Sequence, residues 1–363
     1  MSKRLEELDT NFKGTTAKIK DELIWIRAQD RRFTIDGLPW FKENGGEFFR
    51  LPKRAKEATR APVWELGTMP SGGRVRFKTD STSLKLRVHH SHWISQAHFC
   101  AVGVSGIDLY EGPPARMTYW ASSRTIEARK PYVSTYFEKL SKRMREFTLY
   151  LPIYNDLVSL EVGLDPTAKI LAPSPFRLLK PVVVYGTSIT QGGCASRGAN
   201  GWVPLVGRIL GVDIVNLGFS GNGKCDMEVA DLLTEIDAAC YVNDCVGNMS
   251  LEDMKARYAA FNDCIRARRS NTPILLMTSI RYAGEGQFPG RAEHWAMMRR
   301  FVIKTYQQFR KRGDRNIHFF DCRKLKGFER DHPSVDGSHL TDLGFKLLAD
   351  GVAPVLKTIL KIR

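Results

Sequence analysis

The sequence has no long apolar run. Nowhere in its 363 residues do the roughly 18 to 20 uninterrupted apolar side chains needed to cross a bilayer follow one another, which excludes a helical membrane span. Cysteine is sparse as well: Cys100, Cys194, Cys225, Cys240, Cys245, Cys264 and Cys322 are odd in number and show no CxxC spacing. That pattern argues against a disulfide framework and a zinc knuckle and for reduced thiols. Also missing is any basic block interleaved with aromatics, so the formal net charge of +16 reads as a solvated surface. Such a surface can attract anionic substrates, but it is not the footprint of a nucleic-acid partner. The opening MSKRLEELDTNFKGTTAKIKDEL is charged throughout, so no secretory leader is expected and a cytoplasmic location is.

What is present is an ordinary globular mixture, 43% hydrophobic and 26% charged, in a chain long enough for two domains. Residues 1–30 read as an N-terminal extension with a helix around Ala17 to Arg27, followed by a Gly/Pro-punctuated passage of loops and turns. Over residues 31–175 short runs alternate: Val75 and Phe77 with Arg74, Arg76 and Lys78, and Leu84, Leu86 and Val88 with Lys85 and Arg87. Period two with one face buried predicts strands, and further strands are expected at Val102 to Tyr110, Met117 to Trp120, Arg145 to Leu151 and Leu157 to Val162. A β-sandwich is the expected architecture.

After Leu171-Ala172-Pro173-Ser174-Pro175 the rhythm becomes strand then helix, repeated over residues 176–363. Apolar strands are expected at Pro181 to Tyr185, Val212 to Leu217, Ala239 to Asn243, Pro273 to Thr278 and Asn316 to Phe320, with amphipathic helices between and after them. This pattern predicts a doubly wound parallel sheet, in which chemistry gathers beyond the carboxyl ends of the strands.

Those ends carry a distinctive set. Gly186-Thr187-Ser188 follows the first strand, Gly218-Phe219-Ser220-Gly221-Asn222-Gly223 the second and Asp244-Cys245-Val246-Gly247-Asn248-Met249 the third. Asp336-Gly337-Ser338-His339 precedes the last helix. Taken singly, each has a plain structural reading: a helix cap, a tight turn, a backbone-bridging Asn, a surface His. Together they supply a hydroxyl, backbone and amide donors, and a carboxylate spaced to turn back onto one imidazole nitrogen.

This set resembles the Ser, Gly, Asn and His blocks of SGNH/GDSL hydrolases, in the expected order over about residues 178 to 363. The resemblance implies a flavodoxin-like three-layer sandwich with a five-stranded parallel sheet. It also implies Ser188 as nucleophile, Asp336 and His339 completing a triad, and Ser188, Gly221 and Asn248 as oxyanion-hole donors. Val104-Ser105-Gly106-Ile107-Asp108-Leu109-Tyr110 is similar to the GxDLY signature of the β-domain that precedes one branch of these enzymes. Two positions depart from the family pattern: Thr187 stands where many members have the Asp of GDS, and Met249 where GxND would have Asp.

The implied function is hydrolysis of short acyl esters, most plausibly acetyl esters of carbohydrates or other small alcohols, with no cofactor. The alternatives are a lysophospholipase or thioesterase of the same fold, and a noncatalytic carbohydrate-binding protein. Thr187, Arg281 and Tyr282 are further candidates for substrate contact at the mouth. His89, His90, His92 and His98 suggest a metal site, but on a strand His90 and His92 share a face that His89 does not, so no metal is expected. Trp93, Tyr110, Tyr119 and Trp120 suggest a sugar platform, against the commoner role of core aromatics.

Overall fold

Alternating side chains build the N-terminal half into two antiparallel sheets around one apolar core. In the computed structural model, which describes residues 23–92, 94–124 and 130–362, the first strands are β1 (Ile24–Arg27), β2 (Thr34–Asp36), β3 (Arg74–Thr79), β4 (Leu84–His89) and β5 (Asp108–Glu111). They are followed by β6 (Thr118–Ser122), β7 (Tyr132–Phe137), β8 (Arg145–Tyr150), β9 (Ser159–Leu164) and β10 (Ile170–Leu171). One sheet has the order β1-β9-β4-β7, and the other β10-β3-β8-β5-β6 with β2 on β3. Val75, Phe77, Leu84, Leu86, Val88, Leu109, Phe147 and Val162 share the core of this sandwich.

Three expectations for this half need correction. The helix around Ala17 to Arg27 is not formed where the structure describes it: Ile24–Arg27 is a strand, paired from Ile24↔Leu164 to Arg27↔Glu161, and residues 17–22 lie outside the described residues. The strand expected over Val102 to Tyr110 divides into a short helix, Ala101–Ser105, and β5. Gly103 permits the helix, because a Cβ there would run into the Ala195 backbone carbonyl. Finally, β3 is buried on both faces. Arg74 and Arg76, expected in solvent, are each 2% exposed. Arg76 donates to Asp36 and to the Ser174 carbonyl and lies 4.1 Å from the Phe176 ring centroid, while Arg74 pairs with Asp213.

The C-terminal half contains β11 (Val182–Gly186), β12 (Ile214–Gly218), β13 (Cys240–Asp244), β14 (Ile274–Met277) and β15 (Ile317–Phe320) in one parallel sheet, ordered β12-β11-β13-β14-β15. Val182, Val184, Val242 and Leu275 share a core with helices Trp202–Leu210 and Asp342–Ile359. Their neighbours Val183, Tyr185, Tyr241 and Ile274 share the other with helices Met227–Glu235, Ala259–Arg268 and Arg291–Lys311. Both faces are therefore covered, as parallel strands require. Because the chain leaves β11 toward β12 on one side and β13 on the other, the strand order reverses at β11, and the crevice beyond that point is where such sheets bind ligands.

The passage after β2, read from sequence as loops, completes this second half. It contains the helix Ala61–Gly67, and its Trp40, Leu51, Ala55 and Val63 lie in the same core as Val215 and Leu217. Arg50 is fully buried, and among the described residues no carboxylate pairs with it. Its guanidinium donates to the carbonyls of Leu66, Met69, Asn216 and Gly218 and lies 5.0 Å from the Phe219 ring centroid. Burial pushes its pKa down to about 9.

The Gly-x-Asp-Leu-Tyr run is a clamp between the halves. Asp108 is buried, accepts the Ser122 hydroxyl at 2.6 Å, and accepts the backbone N–H of Ala199 at 2.7 Å. Tyr110 and Tyr150 pack on Ala199, with Arg208 of the helix Trp202–Leu210 over the Tyr110 ring at 4.6 Å.

Candidate active site

A serine is placed at the switch point by the turn leaving β11. Thr187 caps the four-residue helix Ser188–Gln191: its hydroxyl accepts the Ile189 N–H, and the Thr190 hydroxyl accepts the Thr187 N–H, so the two ends of the turn lock each other. Thr190 then donates at 2.8 Å to Asp244, the last residue of β13. Gly218 is obligatory here, since a Cβ would strike the backbone between Thr190 and Gln191.

Ser188 Oγ lies 3.0 Å from His339 Nε2, and His339 Nδ1 lies 2.7 Å from Asp336 Oδ2. The other Asp336 oxygen accepts the backbone N–H groups of Ser338 (2.9 Å) and His339 (2.7 Å). Gly337, at a φ of 86°, makes that return possible. Partial burial works to raise the Asp336 pKa, but the hydrogen bonds from His339 and Ser338 outweigh it and hold the carboxyl at about 2. The carboxylate is thus charged at any working pH and fixes the imidazole with Nδ1 protonated and Nε2 facing Ser188.

Gly221, at a φ of 69°, follows β12, and Asn248 follows β13. Among the described residues neither the Ser188 N–H nor the Gly221 N–H meets a protein acceptor. Asn248 Oδ1 accepts the Gly223 N–H at 3.2 Å, which leaves its Nδ2 for a ligand. The Gly221 loop is held from the N-terminal side: Arg60 donates to Asn222 at 2.8 Å and pairs with Asp226. Ser188, Gly221, Asn248, Thr187, Tyr282 and His339 line one pocket of about 340 Å³.

Sequence candidates thus come together except at two places. Tyr282 is buried in the pocket wall with its ring on Trp295, whereas the Arg281 side chain is exposed and its carbonyl is occupied by His332. The four histidines do not gather either. His90 is buried on the Asp156 carbonyl and His92 rests by the Asp156 carboxylate, while His98 Nε2 lies 4.0 Å from Asp336 Oδ2. Trp93 lies outside the described residues.

The residues missed from sequence come from the N-terminal half. Phe99 packs at a tilt against Tyr154 (4.8 Å between centroids), Tyr154 reaches Ser220, and with Leu66, Met69 and Ile94 they line a second groove of about 410 Å³ that shares Ser220 and His339 with the first. A further hollow, about 800 Å³ around Asp36, Leu38, Pro181 and Asp213, sits by the amino ends of β11 and β12, away from these groups. Among the described residues no helix is long and apolar enough to cross a membrane.

Comparison with known proteins bears on the family and the fold. One family model, the N-terminus of Esterase_SGNH_hydro-type, matches residues 23–170, and another, the GDSL-like Lipase/Acylhydrolase family, matches residues 179–357. No curated protein matches the sequence. Among solved structures, a protein described as a GDSL-like lipase from Bacteroides ovatus superposes with a TM-score of 0.85 at 27% identity, over 94% of this chain and 99% of its own. A salicylyl-acyltransferase from a tetracycline biosynthetic pathway gives 0.79 at 20% identity, over 95% of this chain and all (100%) of its own. A family two carbohydrate esterase from Clostridium thermocellum, in complex with cellohexaose, gives 0.57 at 12% identity, over 81% and 94%. The last two are likenesses of fold. With both halves matched and the sheet, helices and block order in place, the chain belongs to the GDSL-like lipase/acylhydrolase family of SGNH carboxylic ester hydrolases and carries its GxDLY-type N-terminal domain.

Proposed function

We propose that the protein is a serine esterase that removes short acyl groups, acetyl foremost, from carbohydrate or other small esters. The observation that carries this reading is the continuous chain from Asp336 through His339 to Ser188, at 2.7 and 3.0 Å, opening on a pocket that also holds the free donors of Ser188, Gly221 and Asn248.

His339 takes the Ser188 proton at Nε2 as Oγ attacks the ester carbonyl, and Asp336 stabilises the imidazolium that forms. Ser188 N–H, Gly221 N–H and Asn248 Nδ2 receive the developing oxyanion. His339 next returns the proton to the leaving alcohol, and a water molecule enters by the same route to release the acid.

The size of the acyl group follows from the lining. Around the donors stand Thr187, Ser220, Gly247 and Ser338, small and polar, with Ile189 and Tyr282 as the larger apolar side chains, so an acetyl fits and a long alkyl chain finds little apolar wall within this pocket. The apolar groove of Phe99, Tyr154 and Leu66 adjoins this pocket and suits the leaving alcohol, where aromatic faces can hold a sugar ring. Carbohydrate esterases with this fold support the same substrate class. Nitrophenyl esters from acetate to dodecanoate test the reading: kcat/KM is expected to fall as the acyl chain lengthens. A steady rise toward dodecanoate would favour a lysophospholipase or thioesterase instead.

A further inference from the structure

Beside the triad three donors of metal-binding type meet that the esterase reaction does not need together. His98 comes from the loop before helix Ala101–Ser105, Cys194 from the turn after Ser188–Gln191, and His339 from the segment before the last helix. Their donor atoms all lie within 4.8 Å of one another, and the Asp336 carboxylate is 4.0 Å from His98 Nε2. Cys194 has a φ of 72°, a left-handed conformation that non-glycine residues seldom adopt. Its backbone is thus held in an uncommon state at the place where its thiol meets two imidazoles.

We infer that His98, Cys194 and His339 form a binding site for a divalent transition-metal ion, zinc by its chemistry, and that filling it switches the esterase off. This rests on the reading of Ser188, His339 and Asp336 given above. Zinc accepts two imidazoles and a thiolate readily and takes a carboxylate or water as its fourth ligand. Bonds of about 2.0 to 2.3 Å put tetrahedral ligands about 3.3 to 3.7 Å apart, so the side-chain tips need close by only about 1 Å. Cys194 enters as the thiolate and gives its proton to solvent. Magnesium and calcium, which seek oxygen cages, do not suit two nitrogens and a sulfur.

Inhibition follows from the geometry of His339. Nε2 faces Ser188 and Nδ1 faces Asp336, so an ion on either nitrogen removes the base from the triad.

The test uses the full chain, stripped with chelator and kept reduced. Binding is read by titration calorimetry with zinc chloride and, independently of turnover, by the thiolate-to-cobalt charge-transfer absorption on adding cobalt chloride. Expected are one equivalent of zinc with micromolar affinity or better, loss of at least nine-tenths of the nitrophenyl acetate activity in step with occupancy, and recovery on adding EDTA. Cys194→Ser should keep the metal-free rate, lose the cobalt charge-transfer band and weaken zinc at least tenfold. Ser188→Ala should bind cobalt with the parent spectrum, which separates this site from the identity of the nucleophile. Zinc affinity unchanged in both Cys194→Ser and His98→Ala would overturn the site, and so would no binding below millimolar zinc. Full activity in the zinc-saturated enzyme would overturn the switch.

Discussion

Replacing Asp244 by asparagine should stabilise the protein by an amount that grows with pH. Asp244 ends β13 beside the Ser188–Gln191 turn and is 8% exposed. Its side chain has one hydrogen-bond partner among the described residues, the Thr190 hydroxyl at 2.8 Å. Burial with so little compensation lifts its pKa from an ordinary 3.8 to about 7, although the Thr190 bond works the other way. The folded state therefore holds this proton more tightly than the unfolded chain does. Stability from that preference is complete below the unfolded value near 3.8 and is lost as pH rises to about 7. At 1.36 kcal/mol for each tenfold in proton affinity, the loss amounts to about 4 kcal/mol. Asparagine keeps the shape and can still accept from Thr190, but it never has to be buried as an anion. Urea unfolding of parent and variant at intervals from pH 4.5 to 8.5 measures the effect. The advantage of Asp244→Asn should rise from about 1 kcal/mol at pH 4.5 to about 4 kcal/mol at pH 8 and level off above that. A difference independent of pH, or a parent more stable at pH 8, would refute the reasoning.

Two further outcomes follow from other buried groups. Arg50→Met keeps much of the volume but strips the Leu66, Met69, Asn216 and Gly218 carbonyls of their donor, so it should cost about 3 to 5 kcal/mol in unfolding free energy; a cost under about 1 kcal/mol would mean that this arginine is not what ties the N-terminal segment to β12. Asn248→Ala removes one of the proposed oxyanion donors and should lower kcat on nitrophenyl acetate by about 10²- to 10³-fold with KM little changed; a loss confined to KM would assign Asn248 to ground-state binding.

Much of the C-terminal half was legible because its signals are local. The apolar strands around Val183, Val215 and Val242 alternate with amphipathic helices, among them Trp202–Leu210, as the pattern predicts. Sequence order alone then brings Ser188, Gly221 and Asn248 to neighbouring strand ends, because β11, β12 and β13 are adjacent and parallel. What remained hidden depends on partners far along the chain. Ile24–Arg27 becomes a strand through β9, Arg74 and Arg76 are buried by Asp213 and Phe176, and Trp40 reaches a core built from β12. No periodicity in a short window records such contacts. The same holds for the site: His98 looked like one of four neighbouring histidines, and only the docking of the two halves carries it to Asp336. The Gly-x-Asp-Leu-Tyr run was recognisable as a signature, while its work as a clamp on Ala199 and Arg208 required the fold.

The central claim, that Ser188 is the nucleophile, is tested most directly by the steady-state hydrolysis of nitrophenyl acetate by Ser188→Ala against the parent, in preparations whose circular dichroism and thermal unfolding agree. The geometry predicts a fall in kcat of about 10⁴-fold or more, because among the described residues Ser188 Oγ is the hydroxyl hydrogen-bonded to His339 Nε2, at 3.0 Å. A variant that folds like the parent and keeps a tenth or more of its rate would contradict the account, since the ester bond would then be broken without the Ser188 hydroxyl.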